Sequence, residues 1–307
     1  MVVAALGFGT LGPLARFASD VGFSAVSFAF WRAASSVAAL LVVLAVGVAI
    51  GRVPSTRLRS ISRVEWLQLA AMGGFVAGTT VSLFFAFERT TIATALIVFY
   101  TFPVWVAIGA VPLFGEHLGL RKLLAIALAG VGLVLLLASP GGNEGIDPVG
   151  VGLALVASLC QTGFALVGAG GFRSVPPLQS AALLRSFSLG IYVVLLLPLL
   201  VVLDGAQTIT DPVGSREALI LVLTAGIVGA AIPAVLIIAG YRRVGPTRGA
   251  VLMLVEPVTG VFLAMLLLAE QPTPLQLVGG LLVLVGAALV QLAPVSRGSP
   301  ETQPSAE

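Results

Sequence analysis

One cysteine, one histidine and one lysine stand in 307 residues. Their scarcity removes several kinds of chemistry before any pattern is read. A lone cysteine, Cys160, makes no internal disulfide and no cysteine-based metal site. The lone histidine, His117, sits beside Glu116 at a span end and has no second histidine with which to share a metal. Charge is equally short: 9% of residues are Asp, Glu, Lys or Arg, against roughly 25% in water-soluble domains. No basic stretch precedes the first apolar run, so no secretory signal peptide is expected. Chemistry that needs a buried histidine beside a nucleophile, paired acids or a metal cluster is not available. The chain is therefore not expected to be an enzyme, and no cofactor or metal is expected.

What the chain has instead is hydrophobicity: 58% of residues are hydrophobic and mean hydropathy is +1.12. Its apolar runs are about 17 to 25 residues long, which matches a hydrocarbon core of roughly 30 Å at 1.5 Å per helical residue. Ten such runs fit. They lie near 2–18, 24–50, 66–87, 92–114 and 122–138, then 149–168, 178–203, 218–240, 245–268 and 275–292. A polar break from Ser139 to Pro148 separates the halves. Residues 294–307, rich in Ser, Pro and Glu, read as a disordered cytoplasmic tail.

The halves repeat. At an offset of 154 residues, Ala86–Leu135 echoes Gly240–Leu289 without a gap. Arg89 falls on Arg243, Pro103 on Pro257, Glu116 on Glu270 and Gly132 on Gly286. Leu and Val matches are cheap in so apolar a chain, but Pro, Glu and Gly matches in one register are not. Each copy, 1–138 and 149–293, holds five spans, an odd number, so the copies face opposite ways. The expected fold is all-α integral membrane, with ten transmembrane helices in two inverted five-helix repeats. Such repeats are an architecture of alternating-access transporters.

The net charge of +3 and pI of 9.6 would suggest nucleic acid in a soluble protein. Here the arginines follow membrane topology instead, and no nucleic-acid partner is expected. Arg52, Arg57, Arg59, Arg63, Arg121, Lys122, Arg173, Arg242, Arg243, Arg248 and Arg297 share one side if both termini do. Only Arg16, Arg89 and Arg216 lie opposite. The excess marks the cytoplasmic face and puts both termini there.

Gly7-Phe8-Gly9-Thr10-Leu11-Gly12 spells G-x-G-x-x-G, but it lies inside the first span, with no strand before it and no acid about twenty residues on. It reads as glycine for packing. Gly74 and Gly78, and Ala225 and Gly229, are small-residue pairs at helical spacing, suited to close contact between helices. Pro103, Pro198, Pro233 and Pro257 interrupt spans four, seven, eight and nine. Each removes a backbone donor and frees a carbonyl one turn earlier. Pro103 and Pro257, at equivalent depths, are the candidate helix kinks around a substrate cavity.

Intramembrane charges are functional candidates, because burying one costs roughly 2.5–3.5 kcal/mol on insertion scales. Arg32, Arg185 and Glu256 qualify. The spacing suggests pairing of Arg185 with Glu256 and of Arg32 with Glu88; snorkelling to headgroups is the plainer alternative. Polar stripes are candidates for the same cavity: Ser158, Gln161 and Thr162; Thr79 and Ser82; Thr94 and Thr101, with Tyr100 adjacent. For each Ser or Thr alone, bonding back to its own helix is the simpler reading.

Pro103–Glu116 (PVWVAIGAVPLFGE) and Glu256–Glu270 (EPVTGVFLAMLLLAE) resemble the repeats of the drug/metabolite transporter superfamily, specifically its EamA-type members. Ala129–Leu136 and Val283–Val290 look like the helices that close those repeats, and Arg32 and Arg185 resemble the arginine of the second repeat helix. The resemblance implies two inverted five-helix bundles around a central cavity, with amino acids, other small metabolites or drugs as cargo, often exported. Phe8 stands where the family often has tryptophan. No acid lies within spans one or six, so the first-helix carboxylate of small multidrug resistance proteins has no counterpart.

The reading is a secondary transporter of the bacterial inner membrane, exporting a small polar or amphiphilic metabolite by alternating access. The competing class is a non-transporting receptor or scaffold built on a transporter fold. Candidate substrate-binding residues are Glu256, Gln161, Tyr100, Thr101, Ser158, Thr79, Arg185 and Arg32, with Glu256 the candidate for proton coupling. The expected partners are a small-molecule substrate and the lipid bilayer, with the chain a monomer or weak homo-oligomer.

Overall fold

In lipid no water is at hand to bond exposed backbone, so each apolar run closes its hydrogen bonds within a helix. The computed structural model describes residues 1–115, 119–138, 147–169, 171–172, 174–204, 209, 214–244 and 252–292. Glu116, His117, Arg173, Arg248, most of the Ser139–Pro148 break, the start of span nine and the tail lie outside these.

Span one is α1 (Val2–Gly9) and α2 (Leu11–Asp20), and span two is α3 (Ala25–Ala49). Span three is α4 (Arg63–Arg89), span four is α5 (Ile92–Phe99) with α6 (Phe102–Phe114), and span five is α7 (Leu120–Ala138). In the second half, α8 (Pro148–Gly168) is span six. Span seven runs from α9 (Pro177–Ile191) through a π turn (Tyr192–Leu196) into α10 (Leu197–Asp204). Span eight likewise joins α11 (Arg216–Gly226) to α12 (Ile232–Val244) through a π turn (Ile227–Ala231). Span nine is α13 (Val255–Leu268) and span ten α14 (Pro274–Leu292). The described residues contain no strand. Among the described residues nine spans are long and apolar enough to cross a membrane, and α13 is a shorter apolar helix.

Local chemistry sets the helix starts. Ser24, Thr91, Asp147 and Ser215 each accept a backbone N–H from the first turn of the helix they precede. Ser62 and Glu65 form a reciprocal capping box at the start of α4. Asp147 is held below the usual carboxylate range, first by the N–H of Val149 and then by Arg89, whose Nη1 lies 3.4 Å from Oδ2. Each π turn sits just before a proline, Pro198 or Pro233, where the wider turn relieves the ring's clash with the preceding carbonyl.

The packing is two-fold in pattern. Span three lies on spans six and seven, and span eight correspondingly on spans one and two. Span four packs on span six as span nine packs on span one. Spans five and ten pair with each other on the pseudo-axis, and spans two and seven, and four and nine, meet across it. The buried interior is rich in alanine, whereas Val42, Leu67, Val202 and Leu266 lie outside, as expected where lipid replaces water.

The α7–α14 seam is the tightest of these contacts. A Cβ on Gly132 would lie 2.5 Å from the Gly279 carbonyl oxygen, and one on Gly286 would lie 2.7 Å from that of Ala125. Gly132 and Gly286 are mates in the 154-residue register, as are Ala125 and Gly279, so one contact is made twice. Of the small-residue pairs expected in span three, Gly78 meets Cys160, but Gly73 rather than Gly74 makes the closest approach, against the α9 backbone at Leu184. Gly132→Ala is expected to lower detergent-solubilised stability by about 1–3 kcal/mol through overpacking. Gly130→Ala, two positions away with nothing within 4 Å, should leave it unchanged or slightly raised. Equal unfolding temperatures for the two variants would contradict the seam.

Candidate functional site

Both proline-bearing spans break where the register demands. Span four leaves α-geometry at Tyr100–Thr101 and span nine at Leu254, and Tyr100 and Leu254 are mates. Pro103 and Pro257 each lie in the first turn of the helix that resumes. Pro257 has no N–H for the carbonyl of Met253, one turn earlier. That carbonyl is bonded across the axis by the Tyr100 hydroxyl, at 3.3 Å. The same hydroxyl reaches the Glu256 carboxyl. Tyr100 is buried and Glu256 half-buried.

A second polar group knits spans three, four and six. Thr101 and Ser158, both buried, share a 3.0 Å hydrogen bond. The Trp105 indole donates to Thr101 Oγ1 at 3.2 Å. Thr162 donates to the carbonyls of Ser158 at 2.9 Å and Phe102 at 3.3 Å, and Thr79 reaches that of Ala157 at 3.4 Å. Gln161, one helical turn from Ser158, is partly exposed. The expected stripe is thus brought together, but largely as a satisfied network. Trp105 was not among the expected residues; its position one turn after Thr101 was the available signal.

The two arginines form a third group. Arg32 donates from Nη2 to Thr80 Oγ1 at 3.1 Å, and its guanidinium carbon lies 5.3 Å from the Phe84 ring centroid. Arg185 is close enough to repel Arg32, and the buried Tyr192 phenol lies near both. The two expected ion pairs are not formed. Among the described residues nothing joins Arg185 to Glu256, and Arg32 turns to Thr80 rather than to Glu88, which lies among Ala25, Arg16 and Arg89. Depth alone suggested the pairing. The helices set direction, and Arg32 turns to Thr80 and Phe84 on span three. Thr80, Phe84 and Tyr192 were missed because an isolated Thr or aromatic residue is unremarked in an apolar span.

Each membrane face carries its own polar ties. On the arginine-poor face, Glu270 accepts the Ile92 N–H at 2.9 Å and lies 3.9 Å from Arg16, which donates to the Thr90 carbonyl. This joins spans one, four and nine. On the opposite face, Glu65 accepts from the Ser174 N–H at 2.9 Å and hydroxyl at 2.7 Å. There Gln179 also exchanges two 2.8 Å bonds with the Thr56 backbone, strapping the loop after span two to span seven.

The model of the EamA-like transporter family matches residues 1–138 and 148–292, nearly the whole chain and in two parts. The chain belongs to the EamA-like transporter family. It is therefore a multi-pass membrane protein. It is also 28% identical over 169 residues to "Uncharacterized transporter YwfM" of Bacillus subtilis (strain 168), a match covering 55% of this chain. The match spans about half the length of that relative, 53%. A solved crystal structure of a protein superposes with a TM-score of 0.59 at 22% identity, covering 94% of this chain and 93% of its own. That likeness concerns the fold alone.

Within this EamA-like chain, the Tyr100–Met253 bond exists because Pro257 left a carbonyl unpaired. Tyr100→Phe is expected to cost roughly 1 kcal/mol, near the upper range of hydrogen bonds between membrane helices. Pro257→Ala restores the helical partner, so the double variant should lose less than the two single losses combined. Strict additivity in thermal unfolding would contradict the assignment.

Proposed function

We propose that this chain is a secondary transporter that exports a small polar or amphiphilic metabolite across the bacterial inner membrane by alternating access. Both termini lie on the cytoplasmic side, with the arginine-rich face. The observation that carries this reading is the matched pair of breaks in spans four and nine, each at mid-span beside polar side chains. Irregular backbone at membrane depth persists only where protein or a wet cavity satisfies it, and inverted repeats place substrate sites there. The family and the YwfM-like relative support the transport class.

Tyr100 and Glu256 supply a route for proton coupling. The Tyr100 hydroxyl has one proton to give. When Glu256 is protonated it donates to Tyr100, which is then free to hold the Met253 carbonyl. When Glu256 is ionised, the phenol is drawn to the carboxylate and releases that carbonyl, loosening the break in span nine. Proton loss at one carboxyl thereby biases the packing of span nine against spans one and four, which changes state populations in proportion to that difference. The ties on the two faces would then open in alternation, Arg16–Glu270 on one and Glu65–Ser174 on the other.

Flux in reconstituted vesicles tests this directly. Wild-type protein should drive accumulation of at least one of a panel of amino acids, organic acids and amphiphilic drugs when a proton gradient is imposed. Glu256→Gln, which keeps a permanent donor toward Tyr100, should lose gradient-driven accumulation while retaining exchange between loaded vesicles. Unchanged pH dependence in that variant would remove Glu256 from coupling. Absence of flux for every compound would favour the receptor or scaffold reading.

A further inference from the structure

Arg32 and Arg185 lie on spans two and seven, the corresponding helices of the two repeats, 153 residues apart and so one short of the 154-residue register. They arise from α3 and α9, which pack against each other. Each begins about seven or eight residues into its helix from opposite membrane faces, roughly 10–12 Å deep. Both side chains are buried, with exposures of 3% and 8%.

Their surroundings do not balance two positive charges. Arg32 spends one donor on Thr80, while its Nε and Nη1 are buried with no partner. Among the described residues no carboxylate forms an ion pair with either arginine. Tyr192 is a phenol and Phe84 a ring face; both favour a cation nearby without neutralising it. Two like charges buried together without an anion are unfavourable, and guanidinium is the side chain best fitted to a planar carboxylate. The missing component is an anion.

On the arginine-poor face a small cleft is lined by Arg16, Ser24 and Glu88. Phe28 and Phe84 line its inner end and stack with centroids 5.3 Å apart. Arg32 follows Phe28 by four residues and Thr80 precedes Phe84 by four, so the guanidinium lies one turn, about 6 Å, beneath the stacked rings. The rings separate the cleft from the charge.

Building on the transporter reading, we propose that Arg32 and Arg185 together form one carboxylate-binding site on the pseudo-axis, making the substrate a small organic carboxylate. Its carboxylate oxygens accept from Arg32 Nε and Nη1 and from Arg185, with Tyr192 alongside. The Phe28–Phe84 stack must part for it to pass to the cleft. The apolar wall beside the arginines favours a carboxylate on a carbon body over inorganic phosphate.

The test uses the full chain in lipid nanodiscs and a matched series of probes: acetate, benzoate, succinate and L-phenylalanine, each against its amide, with benzylamine and inorganic phosphate as further arms. Binding is read by thermal unfolding. At least one carboxylate should bind at least tenfold more tightly than its amide and than benzylamine. Arg32→Gln and Arg185→Gln should each abolish that preference, and Arg185→Gln should raise the ligand-free unfolding temperature by relieving repulsion. Should the Gln variants fail to fold, Arg32→Lys and Arg185→Lys keep the charge and should still weaken carboxylate binding several-fold. No carboxylate preference, a preference that survives the variants, or binding of phosphate alone would overturn the proposal. Flux in vesicles separates this from the transport reading. Arginine-dependent carboxylate binding without flux leaves the site and removes transport; arginine-independent flux of amides or amines leaves transport and removes the site.

Discussion

A helix in lipid must find its hydrogen-bond partners within the protein, because none is supplied by the solvent around it. The places where this chain departs from plain helix show how that demand is met. At Pro257 a carbonyl is freed and Tyr100 bonds it from the opposite repeat. At Pro198 and Pro233 the backbone widens into a π turn instead. Around Thr101 the hydroxyls and the Trp105 indole satisfy one another. Arg32 has two buried nitrogens left without partners, where Ser36, Thr90 and Gln291 each leave a single oxygen. Of these groups only the guanidinium carries a charge, so its unmet donors cost the most.

The repeat explains how satisfaction and motion coexist. Packing without a hydrophobic drive depends on close backbone approach, supplied by Gly132, Gly279 and Gly286 along the α7–α14 seam. That seam lies on the pseudo-axis and looks the same from either repeat, so it can persist while the other spans exchange environments. Spans four and nine differ: they carry the same break but not the same chemistry. Tyr100 in one has Leu254 as its mate in the other, and Phe102 has Glu256. Symmetry furnishes two related packings of the bundle. The asymmetric polar pair supplies a way to bias one over the other.

Much of this was legible in the residues. Span number, the odd count per repeat and the depth of the breaks follow from hydropathy and from Pro103 falling on Pro257. Thr101 and Ser158 stood out as members of two polar stripes at helical spacing, though not as partners of each other. Partner choice was not legible. Arg185 was expected to meet Glu256 because the depths agreed, yet depth fixes one coordinate and helix rotation fixes the other. Rotation is set by glycine contacts such as Gly73 against α9, and one sequence does not reveal which glycine faces which neighbour. For the same reason Thr80 and Phe84 became visible as arginine partners only in the fold.

The central claim is the inversion itself, and Arg89 and Arg243 report on it most directly. They are mates in the 154-residue register and both are exposed. The chain's one cysteine makes the measurement simple: in a Cys160→Ser background, Arg89→Cys and Arg243→Cys are labelled in sealed right-side-out vesicles with a membrane-impermeant maleimide. The account predicts that Arg89→Cys reacts from outside and Arg243→Cys only after the membrane is opened. Reaction of both from the same side would contradict it.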